Sequence, residues 1–185
     1  MANITFTEKN IHSIKFDLQC DVSLANAIRR TIDSEVLTVG FNTEPYEESD
    51  VKIKENTSSL HNEFIMHRFG MIPPHIVDND NFDPSKYKFI LDVQNKEKQI
   101  IRVTTKDIKI IDNDTNLEVD NSKFFKPNPI TNDYILIIKL KPNPDGNGEI
   151  LNLEARGSLG NGDKDARFMP SSCNTYQNKI DPVKY

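Results

Sequence analysis

The chain has 185 residues, a formal net charge of −5 at pH 7 and a hydrophobic fraction of 36%. This length suits one domain or two small interleaved domains, and a mean hydropathy of −0.57 favours thin layers and long polar loops over one large core. The acidic balance disfavours nonspecific nucleic-acid binding by the whole surface, two cysteines are too few for a disulfide framework or a cysteine zinc site, and no apolar run reaches the ~20 residues of a membrane span.

The first residues predict a β-hairpin. Ile4–Thr7 and Ser13–Leu18 alternate apolar and polar residues on either side of Glu8–Asn10. The apolar residues of the second strand share one face, which we expect to cover part of the apolar stripe of the helix that follows. Any uncovered remainder of that stripe would need a partner.

The segment VSLANAIRRTIDSEV, residues 22–36, predicts an amphipathic helix with Ser23 as its N-cap. Arg29 and Arg30 point away from the apolar side. That side consists of residues at helical spacing, namely Leu24, Ala27, Ile28, Thr31 and Ile32.

After this helix, Leu37–Asn42 predicts a strand, and Pro45 favours an edge or a loop in the next residues. The loop is acidic, and clustered carboxylates can bind a metal. A solvated loop is the better interpretation, because the segment is polar and contains no histidine. The acidic residues are Glu44, Glu47, Glu48 and Asp50.

A second short helix is predicted within TSSLHNEFIMHRFGMIPP, residues 57–74. Thr57 or Ser58 can cap it, and Gly70 followed by two prolines stops it. One side contains Leu60, Phe64, His67 and Met71.

Beyond Pro74 the composition changes to that of an antiparallel sheet. Asp78–Asn81 predicts a turn-rich linker, and DNDTN and PNPDGNG predict further turns. The predicted strands, chosen for alternation and β-branched content, are Tyr87–Val93, Gln99–Thr104, Tyr134–Leu140 and Ile150–Ala155.

Several of these segments resemble the alpha-like assembly subunits of multisubunit RNA polymerases. That family includes the N-terminal domain of the bacterial alpha subunit, its archaeal counterpart and the third-largest subunit of eukaryotic RNA polymerase II. The resemblance covers most of the chain and is weakest from about Asp112 to Thr131. The matching stretches are LANAIRR (24–30), SEV (34–36), ENTSSLHNEFI (55–65), HRFGMIP (67–73), VTTKDI (103–108) and LEARG (153–157).

The resemblance implies an α+β fold with two domains. A dimerisation domain of mixed sheet plus helix would span residues 1–42 and 170–185, and an inserted, mainly antiparallel β domain would span 43–169. The implied function is that of a noncatalytic assembly subunit. It would pair with a smaller alpha-like partner to form the platform for the largest and second-largest, catalytic subunits of a DNA-directed RNA polymerase.

The resemblance also suggests which residues make these contacts. Leu24, Ala27, Ile28, Thr31 and Ile32 would form the dimer interface. The contacts to a large subunit would come from Arg29, Arg30, Glu63, His67 and Arg68.

Two departures from the family pattern lead to further expectations. Many relatives hold zinc or an iron–sulfur cluster with cysteines of the inserted domain, and this sequence has none there, so we expect no metal and no cofactor. Relatives continue past the Pro170 region with a return strand and a long amphipathic helix, whereas here the sequence ends at Tyr185. Either the chain is one half of a longer polypeptide fused to its partner, or the partner supplies that helix.

Other chemistries have weaker support. His61 and His67 are six residues apart, whereas a helical His-Glu-x-x-His zinc site needs a spacing of four, so His67 is interpreted as a hydrogen-bonded packing residue. The Gly157–Gly162 stretch lacks the Gly-Lys-Ser/Thr ending of a phosphate loop and predicts a turn between domains. Cys173 has no histidine nearby in sequence to activate a thiol nucleophile.

Two competing classes of function stay open beside the assembly subunit. A free-standing enzyme would need a convergent acid, base or metal set, and a nucleic-acid-binding module would need a basic face with stacking aromatics. An isolated protein-interaction module is the alternative closest to the assembly subunit. We expect no sequence-specific DNA binding, no membrane contact and a reduced, intracellular setting: nucleus, cytoplasm or, if the abundant Asn, Lys and Ile mark a large DNA virus, a viral factory or virion.

Overall fold

The computed structural model describes residues 3–10, 13–76 and 82–180 and divides the chain into two compact units. Unit 1 consists of the described residues of Met1–Val36 and Asn161–Tyr185, and unit 2 of those of Leu37–Gly160. The α+β class is confirmed, since eleven strands and two α-helices lie in the described residues. The linker predicted at 78–81 lies outside them. Assignment of dimerisation to residues 1–42 and 170–185 stays a prediction.

Unit 1 begins with an antiparallel hairpin of β1 (Asn3–Lys9) and β2 (Ile14–Gln19). A bulge between Phe6 and Glu8 lets the longer first strand stay in register with the second, so the apolar residues of both strands share one face. Phe6 lies opposite Phe16, with ring centroids 5.9 Å apart in an edge-to-face arrangement.

Helix α1 (Val22–Ser34) follows the hairpin. Its N-cap is Asp21, not the predicted Ser23, because the backbone turns helical two residues earlier and the Leu24 amide donates to the Asp21 carbonyl at 3.1 Å. The predicted extent of the helix is otherwise confirmed, ending two residues before Val36.

The return segment of unit 1, residues 161–180, meets the C-terminal end of α1. The Asp163 amide donates to the Ser34 carbonyl at 3.2 Å, and the Asn174 side chain donates to the Asp33 carboxylate. A Cβ at Gly162 would overlap the Asp33 carbonyl oxygen, so only glycine allows the backbone to approach this closely. The segment thereby satisfies polar groups that the last turn of a helix leaves unpaired.

Unit 2 is a set of antiparallel strand pairs, and within the described residues no parallel pair accompanies them. A five-stranded sheet has the order β4-β10-β5-β7-β8, while β3 pairs with β11 and β6 with β9. These strands are β3 (Thr38–Gly40), β4 (Val51–Asn56), β5 (Tyr87–Gln94), β6 (Ile101–Thr104), β7 (Lys109–Asp112), β8 (Glu118–Val119), β9 (Leu136–Leu140), β10 (Ile150–Arg156) and β11 (Ser158–Gly160). The four strands predicted after Pro74 are confirmed as β5, β6, β9 and β10.

The core of unit 2 centres on aromatic side chains. Phe89, on the central strand β5, is fully buried, and its ring centroid lies 5.1 Å from that of Phe41, 5.5 Å from Phe124 and 6.0 Å from Phe125. Phe69 contacts the same cluster through Phe41, at 4.9 Å. Aromatic pairs at these separations add to the free energy of area burial, so this cluster is expected to dominate the stability of the unit.

Helix α2 (Asn62–Gly70) joins this core by a different face from the one that sequence spacing suggests. Ile65, Met66 and Phe69 are buried, whereas Phe64 is 66% and Met71 62% exposed. Of the four residues predicted to share one side, Leu60 is half-buried against the core, whereas Phe64, His67 and Met71 are exposed. The interpretation of His67 as a packing residue is wrong.

The residues before α2 explain its start. The Asn56 side chain donates to the Leu60 carbonyl at 2.8 Å and to Asn62 Oδ1 at 2.7 Å, and accepts from the Ser58 amide at 2.9 Å. These bonds hold the segment in bends, so neither Thr57 nor Ser58 can cap a helix. His61 is the N-cap, its Nδ1 accepting from the Glu63 amide at 3.4 Å.

The solvent face of the five-stranded sheet carries a group of ion pairs around Glu154. Its carboxylate accepts from Lys54 and from Lys88, the second at 2.9 Å. Hydrogen bonds from Lys54 and then Lys88 lower the pKa of the Glu154 carboxyl from its ordinary value. A carboxyl whose pKa is lower when folded contributes stability that is complete above the unfolded-state pKa and is lost as the pH falls through the folded-state pKa.

We expect Glu154→Gln to lower the free energy of unfolding at neutral pH and to leave it unchanged in acid. The difference between wild type and variant should shrink as the pH falls below about 4.3, the ordinary glutamate pKa, because both side chains are then uncharged. Urea unfolding of the wild type and the variant across this pH range measures the difference in their free energies of unfolding. A difference that persists undiminished at the lowest pH would show that Glu154 acts through packing and not through its charge.

Candidate protein-interaction surfaces

No described residue of the chain fully buries the apolar stripe of α1. No residue of α1 is buried: Leu24 is 44% exposed, Ala27 and Thr31 are exposed, and Ile28 and Ile32 are half-buried. A helix of this length is marginal in water unless its apolar face packs against something. The predicted dimer residues therefore leave part of the stripe accessible, most at Leu24, Ala27 and Thr31.

The hairpin leaves every residue of the stripe short of full burial, because most of its own apolar face is exposed and only Leu18 of β2 is half-buried. Ile4 is 53%, Phe6 61%, Ile14 55% and Phe16 37% exposed. The opposite face is polar, with Lys15 Nζ 2.7 Å from Glu8 Oε2. The predicted contacts did not include Ile4 and Phe6 of β1, although strand alternation places them beside the apolar residues of β2.

Unit 1 has almost no core of its own. Among its described apolar side chains, Phe168 alone is buried. Contiguous exposed apolar patches of this kind mark sites of protein association in folded proteins.

The polar side of α1 contains the two predicted arginine contacts. Arg29 Nη1 lies 3.2 Å from Asp33 Oδ2, and Arg29 Nε donates to Asn26 Oδ1 at 3.2 Å. Arg30 is exposed and makes no ion pair with any described residue. Of the two, Arg30 is the one whose charge is available to a partner.

In unit 2, the outer side of α2 presents the other predicted contacts. Glu63, His67 and Arg68 are all exposed, and Arg68 Nη2 donates to the Leu136 carbonyl at 3.0 Å, which orients the guanidinium. Phe64 and Met71 share this side. Helical spacing grouped these two with Leu60 and His67 but did not identify them as surface residues.

The described residues hold no group of three His, Cys, Asp or Glu side chains close enough to bind a metal ion. Cys20 is half-buried and Cys173 exposed, both with free thiols. The Gly157–Gly162 stretch contains β11, which pairs with β3, so the predicted turn is confined to the residues after Gly160. Within the described part of the chain, no helix is long and apolar enough to cross a membrane.

No family model matches the chain. It is 33% identical over 175 residues to "DNA-directed RNA polymerase subunit Rpo3" of Thermococcus kodakarensis, covering 92% of this chain and 57% of that protein. It is 30% identical over 170 residues to "DNA-directed RNA polymerase II subunit rpb3" of Dictyostelium discoideum, covering 85% and 51%. A "Conjugation stage-specific protein" of Tetrahymena thermophila is 36% identical over 124 residues, covering 59% and 38%. The chain thus spans about half the length of the polymerase subunits that it matches.

Proposed function

Since the chain belongs to the alpha-like subunits of multisubunit DNA-directed RNA polymerases, we propose that it is a noncatalytic assembly subunit of such an enzyme. It would pair with a smaller alpha-like subunit, and the heterodimer would be the platform on which the two large catalytic subunits assemble. The protein would be intracellular, present wherever that polymerase transcribes. The observation that supports this most directly is the incompletely buried apolar stripe of α1.

The heterodimer interface would consist of the α1 stripe, extended by the apolar face of the hairpin. Fully burying a Leu or Ile side chain contributes about 1.5–3 kcal/mol, and Leu24, Ile28 and Ile32 are each available for this. A helix that is marginal alone would gain its packing from the partner. The interface would therefore stabilise unit 1 as well as join two subunits.

Contacts to a large subunit would come from the polar side of α1 and the outer side of α2. Arg30 and Arg68 each present a planar guanidinium, which binds carboxylates in a bidentate way. Phe64 and Met71 would add apolar area beside Arg68 and His67. Such a mixture of Arg, aromatic and Met side chains is enriched at protein interfaces.

Co-purification from the native source tests the proposal. Recovery of the large polymerase subunits and a small alpha-like partner in equal amounts would support it, and recovery of one larger polypeptide containing both alpha-like sequences would show that the partner is fused. Recovery of the chain with no polymerase subunit in moderate salt would contradict it.

We expect Arg68→Glu to weaken retention of the large subunits roughly tenfold while leaving the heterodimer intact, because reversing a contact charge adds repulsion to the lost pairing. Quantitative mass spectrometry of the retained proteins measures the amounts of the large subunits and of the small alpha-like subunit separately. The matched control is Arg102→Glu, which makes the same charge change at an exposed position on β6. Equal losses in the two variants would remove Arg68 from the interface.

A further inference from the structure

A pocket of about 270 Å³ opens on the solvent face of the five-stranded sheet. We call it the sheet pocket. Strand alternation directs the side chains of Lys52, Lys88, Glu154 and Arg156 to this face, while their neighbours Val51, Phe89, Leu153 and Ala155 are buried in the core. Ser49 and Asp50 complete the rim.

Strand register concentrates positive charge in the pocket. Glu154 lies opposite Lys52 on β4, and Arg156 lies opposite Lys88 on β5. Lys54 joins the group through its ion pair with Glu154. Four cations therefore surround two carboxylates, Glu154 and Asp50, in a chain whose overall charge is −5.

Both carboxylates are already engaged. Glu154 binds Lys54 and Lys88, while Asp50 Oδ2 accepts from the Asn42 amide at 2.8 Å and from the Ser158 hydroxyl. Lys52 and Arg156 make no ion pair or side-chain hydrogen bond with any described residue, and both are exposed. Their charges are the ones available to a ligand.

We propose that the sheet pocket binds an acidic peptide segment of a protein partner, with Lys52 and Arg156 holding its carboxylates. The guanidinium of Arg156 can pair with one carboxylate in a bidentate way. Lys52 adds a second positive charge on β4, two strands away from Lys88 on β5. Lys88 and Lys54 share the single carboxylate of Glu154, so that group adds one net positive charge beside Lys52 and Arg156.

The surroundings favour a peptide over nucleic acid. Glu47 and Glu48 directly precede Ser49 of the rim, and Asp92 and Glu118 lie on the same face of the sheet. A phosphate backbone needs an extended positive groove and would meet these charges along its length. A short segment that anchors one or two carboxylates in the pocket avoids them. The proposal does not depend on the role of α1 or on the polymerase assignment.

The test is fluorescence anisotropy of a short fluorescein-labelled peptide that alternates glutamate with glycine, titrated with the purified chain in moderate salt. A peptide with glutamine in place of glutamate controls for the carboxylates. The double variant Lys52→Gln with Arg156→Gln should weaken binding about tenfold, the product of two exposed charge contacts. The matched double variant Arg102→Gln with Lys139→Gln, which removes the same charges from exposed positions on β6 and β9, outside the five-stranded sheet, should change it less than about twofold.

Glutamine replaces each charged residue because it is neutral and polar, so the sheet should keep its fold. A thermal melt followed by circular dichroism checks the fold of each variant. Three results would overturn the proposal: equal weakening by both double variants, equal binding of the glutamine peptide, or no binding by the wild type. Tighter binding of a single-stranded oligonucleotide of equal charge, lost in the Lys52/Arg156 variant, would also overturn it by assigning the pocket to nucleic acid.

Discussion

Ile28→Asp is expected to abolish heterodimer formation. Ile28 lies in the middle of the α1 stripe and is only half-buried in the isolated chain, so the variant should still fold. In the proposed interface the new carboxylate would be desolvated with no cation of the stripe to pair with it, at a cost of several kcal/mol. Each 1.4 kcal/mol is about a tenfold change in affinity, so a loss of at least roughly a hundredfold should follow.

Co-expression of the chain with the proposed small alpha-like partner, followed by size-exclusion chromatography, measures this loss. Asn26→Asp is the matched control, because it adds the same charge to the opposite side of α1 and keeps an acceptor for Arg29. Normal heterodimer in the control and none in Ile28→Asp would locate the interface on the stripe. Unchanged heterodimer in Ile28→Asp would remove the stripe from the interface.

Phe89→Ala should produce the largest loss of stability in unit 2. The Phe89 ring is fully buried among Phe41, Phe124 and Phe125, so its removal leaves a cavity in the aromatic cluster of the core. Phe→Ala changes at such positions cost about 3–5 kcal/mol. Urea unfolding followed by far-UV circular dichroism should show the midpoint falling by roughly 1–3 M.

Phe64→Ala makes the same chemical change on the exposed side of α2 and should alter the free energy of unfolding by less than about 0.5 kcal/mol. The pair therefore tests whether α2 packs by Ile65, Met66 and Phe69, as the structure shows, or by the side that contains Phe64. Comparable losses in both variants would mean that Phe64 is packed against the protein in solution.

Sequence periodicity was sufficient to predict most elements of the fold. The four strands after Pro74 and the body of α1 follow from alternation and helical spacing, which local backbone geometry imposes directly. The orientation of α2 did not follow, because its start depends on hydrogen bonds from Asn56 to residues further along the chain. Spacing identifies which residues share a side of a helix, and tertiary contacts decide which side is buried.

The interaction surfaces were predictable to different degrees. The α1 stripe could be named from its spacing, but an apolar pattern cannot say whether the chain itself covers it, and the hairpin does not bury it fully. The sheet pocket could not be predicted, because Lys54 and Glu154 are 100 positions apart and meet only through the pairing of β4 with β10. Phe64 and Met71 became visible as surface residues once the packing of α2 was known.

The contact between α1 and the return segment affects the order in which the two units fold during synthesis. Asn174 and Asp33 are 141 positions apart, so α1 leaves the ribosome roughly 7–30 s before its C-terminal end can be capped, at about 5–20 residues per second. Unit 2 is contiguous and needs no later residues. We therefore expect the nascent chain to complete unit 2 first, while the exposed part of the α1 stripe depends on chaperones or on early capture by the proposed partner to avoid aggregation.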